Sequence, residues 1–178
     1  MRISSVMRAS VTACDGGSVA SRIRWGLLGG AAVLLVPLQA AGEEYAFRGL
    51  AAQGLGAWLR SPLWAILLPV PLFMFGHGYN WVGQIDVAVF AICAGALVWK
   101  SGGLEIPIVM HVANNLGVFL LAPFSASSLQ QGEVSPMLLL TSTPFTIFLT
   151  VMMWAWVSDR YGLRMGEPVT TATPQLAR

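Results

Sequence analysis

The chain has 178 residues, 56% of them apolar and only 10% charged, with 19 Gly, 10 Pro and a mean hydropathy of +0.68. A soluble domain has about a quarter of its residues charged, so this composition excludes an ordinary water-soluble globule. The formal charge of +2 comes from arginines in the tails, which argues against a nucleic-acid-binding face, and the two cysteines, Cys14 and Cys93, provide neither a disulfide framework nor a cysteine zinc site.

Residues 1–24 carry four Arg, five Ser and one acid, and read as a basic, disordered tail, with a transit peptide as the competing reading. Apolar runs follow at 25–41, 62–77, 86–99, 105–123 and 137–157. Only the last two approach the ~20 residues that a perpendicular membrane helix needs. Short spans interrupted by Gly and Pro suggest helices packed around a polar centre, because broken backbone at membrane depth must be buried or line a wet cavity. Residues 43–60 form a further helix candidate. The expectation is an all-α, polytopic transmembrane helical bundle of about five to six membrane segments: a membrane domain over 25–157 and a disordered C-terminal tail over 158–178. Gly26 and Gly30 form a weak helix-packing signal.

Charge placement refines the topology. If residues 25–60 enter and return, as two crossings or a re-entrant hairpin, the N-tail, Arg60, Lys100 and the C-tail share one side. The loops at 78–85 and 124–136 on the other side then contain no Lys or Arg. The positive-inside rule therefore favours an even count with both termini cytoplasmic, in a bacterial-type plasma membrane.

Ionisable groups in membrane spans are functional-site hypotheses by default. Here they form three clusters. Glu43, Glu44 and Arg48 lie in the first; Glu44 and Arg48 are four apart and can pair on a helix, which leaves Glu43 available. Phe73 and His77 close an otherwise apolar run, and His111 and Asn115 share a helical face, with Asn114 pointing elsewhere. Each cluster has a structural reading of its own, as helix-terminus complement, core histidine or interhelical hydrogen-bond glue. Together they are the parts for peptide hydrolysis without a covalent intermediate: a carboxylate and an imidazole to activate water, a second imidazole and an amide to meet an oxyanion. Glu43, His77 and His111 are also zinc-compatible ligands, but there is no H-E-x-x-H, and the metal-free reading stands slightly ahead.

The ordered set E-E-x-x-x-R (Glu43, Glu44, Arg48), F-x-x-x-H (Phe73, His77) and H-x-x-x-N (His111, Asn115) resembles the CAAX protease and bacteriocin-processing family (CPBP, or Abi), whose members include the type II CAAX prenyl endopeptidases. The resemblance implies an intramembrane endopeptidase in which Glu43 is the general base acting with His77. It implies that His111 and Asn115 stabilise the oxyanion, and that Glu44, Arg48 and Phe73 support them. It requires no cofactor, although family members have long been described as metalloproteases. It implies a membrane-embedded or lipidated protein or peptide as substrate, with the lipid bilayer as the other partner and no nucleic acid. The chain departs from many relatives in having one apolar run before the E-E-x-x-x-R helix where they have more. Competing readings are a non-catalytic scaffold or immunity protein that binds a peptide, and a transporter fragment, which the lack of inverted repeats disfavours.

Overall fold

The computed structural model describes residues 19–121 and 132–170. Expectations for residues 1–18 and 171–178, and for most of the loop at 124–136, lie outside the described residues. The described chain is helical, with no strand: α1 (Val19–Glu44), a π-helical segment (Tyr45–Ala52), α2 (Gln53–Trp58), α3 (Pro62–Leu67), α4 (Pro69–Phe75), α5 (Trp81–Ser101), α6 (Glu105–Leu121) and α7 (Pro136–Tyr161).

Local chemistry sets the boundaries. Asn80 caps α5 by accepting from the Gly83 N–H at 3.1 Å, and Ser135 caps α7 by accepting from the Leu138 N–H at 3.3 Å. Both helices stop at a glycine in the left-handed region, Gly102 (φ 73°) and Gly162 (φ 62°), where a side chain would be strained. Between α3 and α4, Pro69 and Pro71 lack the N–H groups that would bond back to Ala65 and Leu67, and the helix breaks at Leu68.

Three helices are long and apolar enough to cross a membrane: Gly26–Trp58, Trp81–Ser101 and Pro136–Tyr161. The broken rod Pro62–Phe75 and the 17-residue α6 complete five rods among the described residues. Glu44 and Lys100 are fully buried, while Leu34, Leu38, Leu50 and Leu140 are each at least 70% exposed. An apolar exterior around buried charged groups suits hydrocarbon as the surrounding medium.

Two expectations are corrected. The stretch 25–60 does not enter and return: from Gly26 to Trp58, α1, the π-helical segment and α2 form one rod of 33 residues, roughly 50 Å at helical rise. It runs antiparallel to α6, since Gln39 meets Asn115, Glu44 meets His111 and Gly49 lies against Leu104. Gly26 and Tyr161 consequently sit at opposite ends of the bundle. The second correction is the tail from 158: α7 continues to Tyr161, and the next residues fold onto α5. There Lys100 Nζ donates to the carbonyls of Arg164 (3.0 Å) and Glu167 (2.5 Å), and the Val169 N–H donates to the Lys100 carbonyl.

Candidate active site

The site forms where α1, α4, α5 and α6 meet. Its floor is apolar: Val70 and Phe73 of α4, Phe90, Ala91, Ala94 and Leu97 of α5, and Met110 of α6 form one buried cluster. Phe73 is its hub, edge-on to Phe47 with centroids 5.0 Å apart and 4.7 Å from the His77 ring; Phe90 lies 4.7 Å from the His111 ring. The Arg48 guanidinium stands 4.3 Å from the centroid of Phe73. A cation over a desolvated aromatic face is held there electrostatically, so Phe73 supports Arg48 as well as His77.

The paired acids clasp a single ring. His111 Nδ1 lies 2.7 Å from Glu44 Oε1, and His111 Nε2 lies 3.7 Å from Glu43 Oε2. Consecutive helical residues point about 100° apart, so adjacent glutamates reach opposite edges of one imidazole. Glu44 Oε1 also accepts from Arg48 Nη1 at 3.1 Å, as their spacing of four predicts. The expected Glu44–Arg48 pair therefore holds a third group, His111.

His77 enters from the loop two residues past the end of α4. Its Nδ1 lies 2.8 Å from the Phe73 carbonyl, four residues back, and its Nε2 lies 4.0 Å from Glu43 Oε2. A carbonyl only accepts, so Nδ1 carries a hydrogen, and in the neutral ring Nε2 presents its lone pair toward Glu43. In the same way the Glu44 carboxylate requires the hydrogen on Nδ1 of His111. Both Nε2 atoms thus converge on one carboxylate oxygen, which has no hydrogen-bond partner among the described residues. Separations of 3.7 and 4.0 Å are too long for direct hydrogen bonds.

Asn115 is near this centre but occupied: its Nδ2 donates to Gln39 Oε1 at 3.1 Å, and Gln39 Nε2 donates to Glu43 Oε1. Sequence reasoning missed Gln39. The signal was its spacing of four before Glu43, in a run otherwise free of polar side chains. Donors around a tetrahedral zinc with 2.0–2.1 Å bonds lie about 3.3 Å apart. Both Nε2 atoms stand farther than that from Glu43 Oε2, and no three His, Cys, Asp or Glu among the described residues are set to hold a metal ion.

Apolar helices enclosing a cluster of two carboxylates, two imidazoles and a guanidinium define a polytopic membrane protein with an ionisable centre. Residues 25–117, just over half of the chain, match the family model "Type II CAAX prenyl endopeptidase Rce1-like", and the chain belongs to this family. It is 35% identical over 105 residues to YyaK, an uncharacterized protein of Bacillus subtilis (strain 168), covering 54% of this chain and 34% of that one. The chain thus spans about a third of the length of that relative. No solved structure matches.

Proposed function

We propose that this protein is an intramembrane endopeptidase, hydrolysing a peptide bond in a membrane-embedded or lipidated (CAAX-like) protein or peptide through water activated by Glu43 and His77. The observation that carries the reading is the convergence of His77 Nε2 and His111 Nε2 on Glu43 Oε2. A water between Glu43 and His77 donates one hydrogen to Oε2 and the other to Nε2. Its lone pairs then point outward, toward a scissile carbonyl. Glu43 takes the proton as the C–O bond forms and returns it to the leaving amine as the C–N bond breaks.

The developing oxyanion is met by His111 and by the second N–H of Asn115, whose first is engaged by Gln39. To donate through Nε2, His111 must carry protons on both nitrogens, and Glu44 supplies the counter-charge that such a ring needs. Arg48 fixes Glu44 from its other side.

The site calls for an uncharged, extended backbone segment presented from the bilayer, because the surrounding exterior is apolar. We place the protein in the plasma membrane with the end bearing Arg60, Lys100, Arg160 and Arg164 toward the cytoplasm. The loop at 76–80 and the described loop residues 132–135 at the other end carry no Lys or Arg; Arg22 and Arg24, early in α1, are the exception.

The test is cleavage of a panel of lipidated and transmembrane peptides by purified protein in nanodiscs, beside Glu43→Gln, with and without a chelator. Cleavage that is lost in Glu43→Gln and survives the chelator supports the glutamate-type mechanism. Loss with chelator and recovery with zinc would assign metal chemistry instead. A folded wild type that cleaves nothing on the panel counts against the peptidase reading.

A further inference from the structure

An amide on a membrane helix needs partners for both its oxygen and its nitrogen, since hydrocarbon offers none. Gln39, on the exposed side of α1, finds both within the site: Glu43 on its own helix and Asn115 on α6. Chemistry dictates which way this amide points. A carboxylate only accepts, so Gln39 must turn its NH₂ to Glu43, and its oxygen is then left to accept from the Asn115 NH₂. The order Asn115 to Gln39 to Glu43 follows from the charge on Glu43 alone. It has a second consequence: Oε1 is engaged by Gln39, and Oε2 is the oxygen that faces His77 and His111.

We propose that Gln39 is a positioning residue of this site, selecting through its bond to Oε1 the oxygen of Glu43 that acts as base and coupling Glu43 to Asn115 across the α1–α6 contact. The inference rests on the peptidase reading for its kinetic consequence and on geometry alone for its spectroscopic one. The two can therefore fail separately.

Gln39→Met keeps the length and helix preference of the side chain and removes both hydrogen bonds. In infrared difference spectra of the full chain in nanodiscs, the carboxylate band that disappears in Glu43→Gln should shift in Gln39→Met. A band that stays at its wild-type position in a folded Gln39→Met protein overturns the proposal, whatever the activity. On a cleaved peptide, kcat should fall about 10- to 100-fold, the loss expected for one hydrogen bond to a charged group, with KM unchanged. A loss carried by KM, or by thermal stability, would overturn it in favour of a structural role. In a double-mutant cycle, Gln39→Met with Asn115→Ala should be less slow than the product of the two single effects, because both changes break one chain. Multiplying effects would show that the two residues act separately and overturn the coupling. A shifted band in a protein that cleaves no peptide would uphold Gln39 as the partner of Glu43 and count against the peptidase reading.

Discussion

Glu43 and Glu44 are neighbours in sequence with different environments. Glu44 is fully buried between a guanidinium and an imidazole, whereas Glu43 keeps 27% of its side chain exposed and offers one oxygen to the two other nitrogens. Their substitutions should separate accordingly. Under the proposed mechanism, Glu43→Gln and His77→Ala should reduce cleavage to background with the unfolding midpoint in detergent unchanged, since each removes a group assigned there to act on water. Asn115→Ala should leave an enzyme slower by about 10² to 10³, the cost of one oxyanion donor. Glu44→Ala should instead lower stability by about 3–5 kcal/mol, because Arg48 is left buried without its counter-charge. Thermal unfolding of the purified variants reads this, and equal midpoints for Glu43→Gln and Glu44→Ala would contradict the division. Most of the site was legible: ionisable residues spaced four apart in apolar runs have few structural uses in hydrocarbon. Gln39 was not, because an uncharged amide is inconspicuous until its partners are known.

Among the elements, the π-helical segment immediately follows the glutamate pair. Such segments are uncommon and concentrate where a helix carries a site. Here it carries Arg48, the partner of Glu44, and the contact of Gly49 with Leu104. Close approach also sets α5 against α3: a Cβ on Gly95 would stand 2.8 Å from Cγ2 of Ile66, a β-branched side chain with little freedom to yield. Gly95→Leu should therefore destabilise the protein by about 1–3 kcal/mol through overpacking, visible as a lower unfolding midpoint. Polar contacts do similar work between α5 and α7, where Asp86 Oδ1 accepts from Ser142 (2.6 Å) and Thr143 (2.8 Å). Removing the acid in Asp86→Ala leaves two hydroxyls to find other acceptors, and the same measurement should show a loss of about 1–3 kcal/mol. Neither contact is readable from one chain, since spacing along a helix says which residues share a face and not which helix that face meets.

At the scale of the whole molecule, the rods alternate in direction, so each loop belongs to one end. Gly78 sits at the end joined by the bond from the Asn80 N–H to the Gly132 carbonyl, and Ser61 sits beyond Trp58 at the other. With the native cysteines replaced, Gly78→Cys should react with a membrane-impermeant maleimide added outside intact cells, and Ser61→Cys only after the membrane is opened. The reverse labelling would invert the proposed orientation.

The sequence by itself determined the class of environment and the helical build, and it singled out the residues of the candidate site, because in hydrocarbon the cost of a buried charge leaves such residues few reasons to be present. Only the tertiary structure decided how they meet. The antiparallel register of α1 against α6 sets Glu43 and Glu44 on either edge of His111. The proline-broken rod carries His77 to the same carboxylate. The path of residues 25–60 was likewise decided by packing. A long apolar stretch can fold back or run straight with equal local propensity; it runs straight here, with α6 packed against its middle from Gln39 to Gly49.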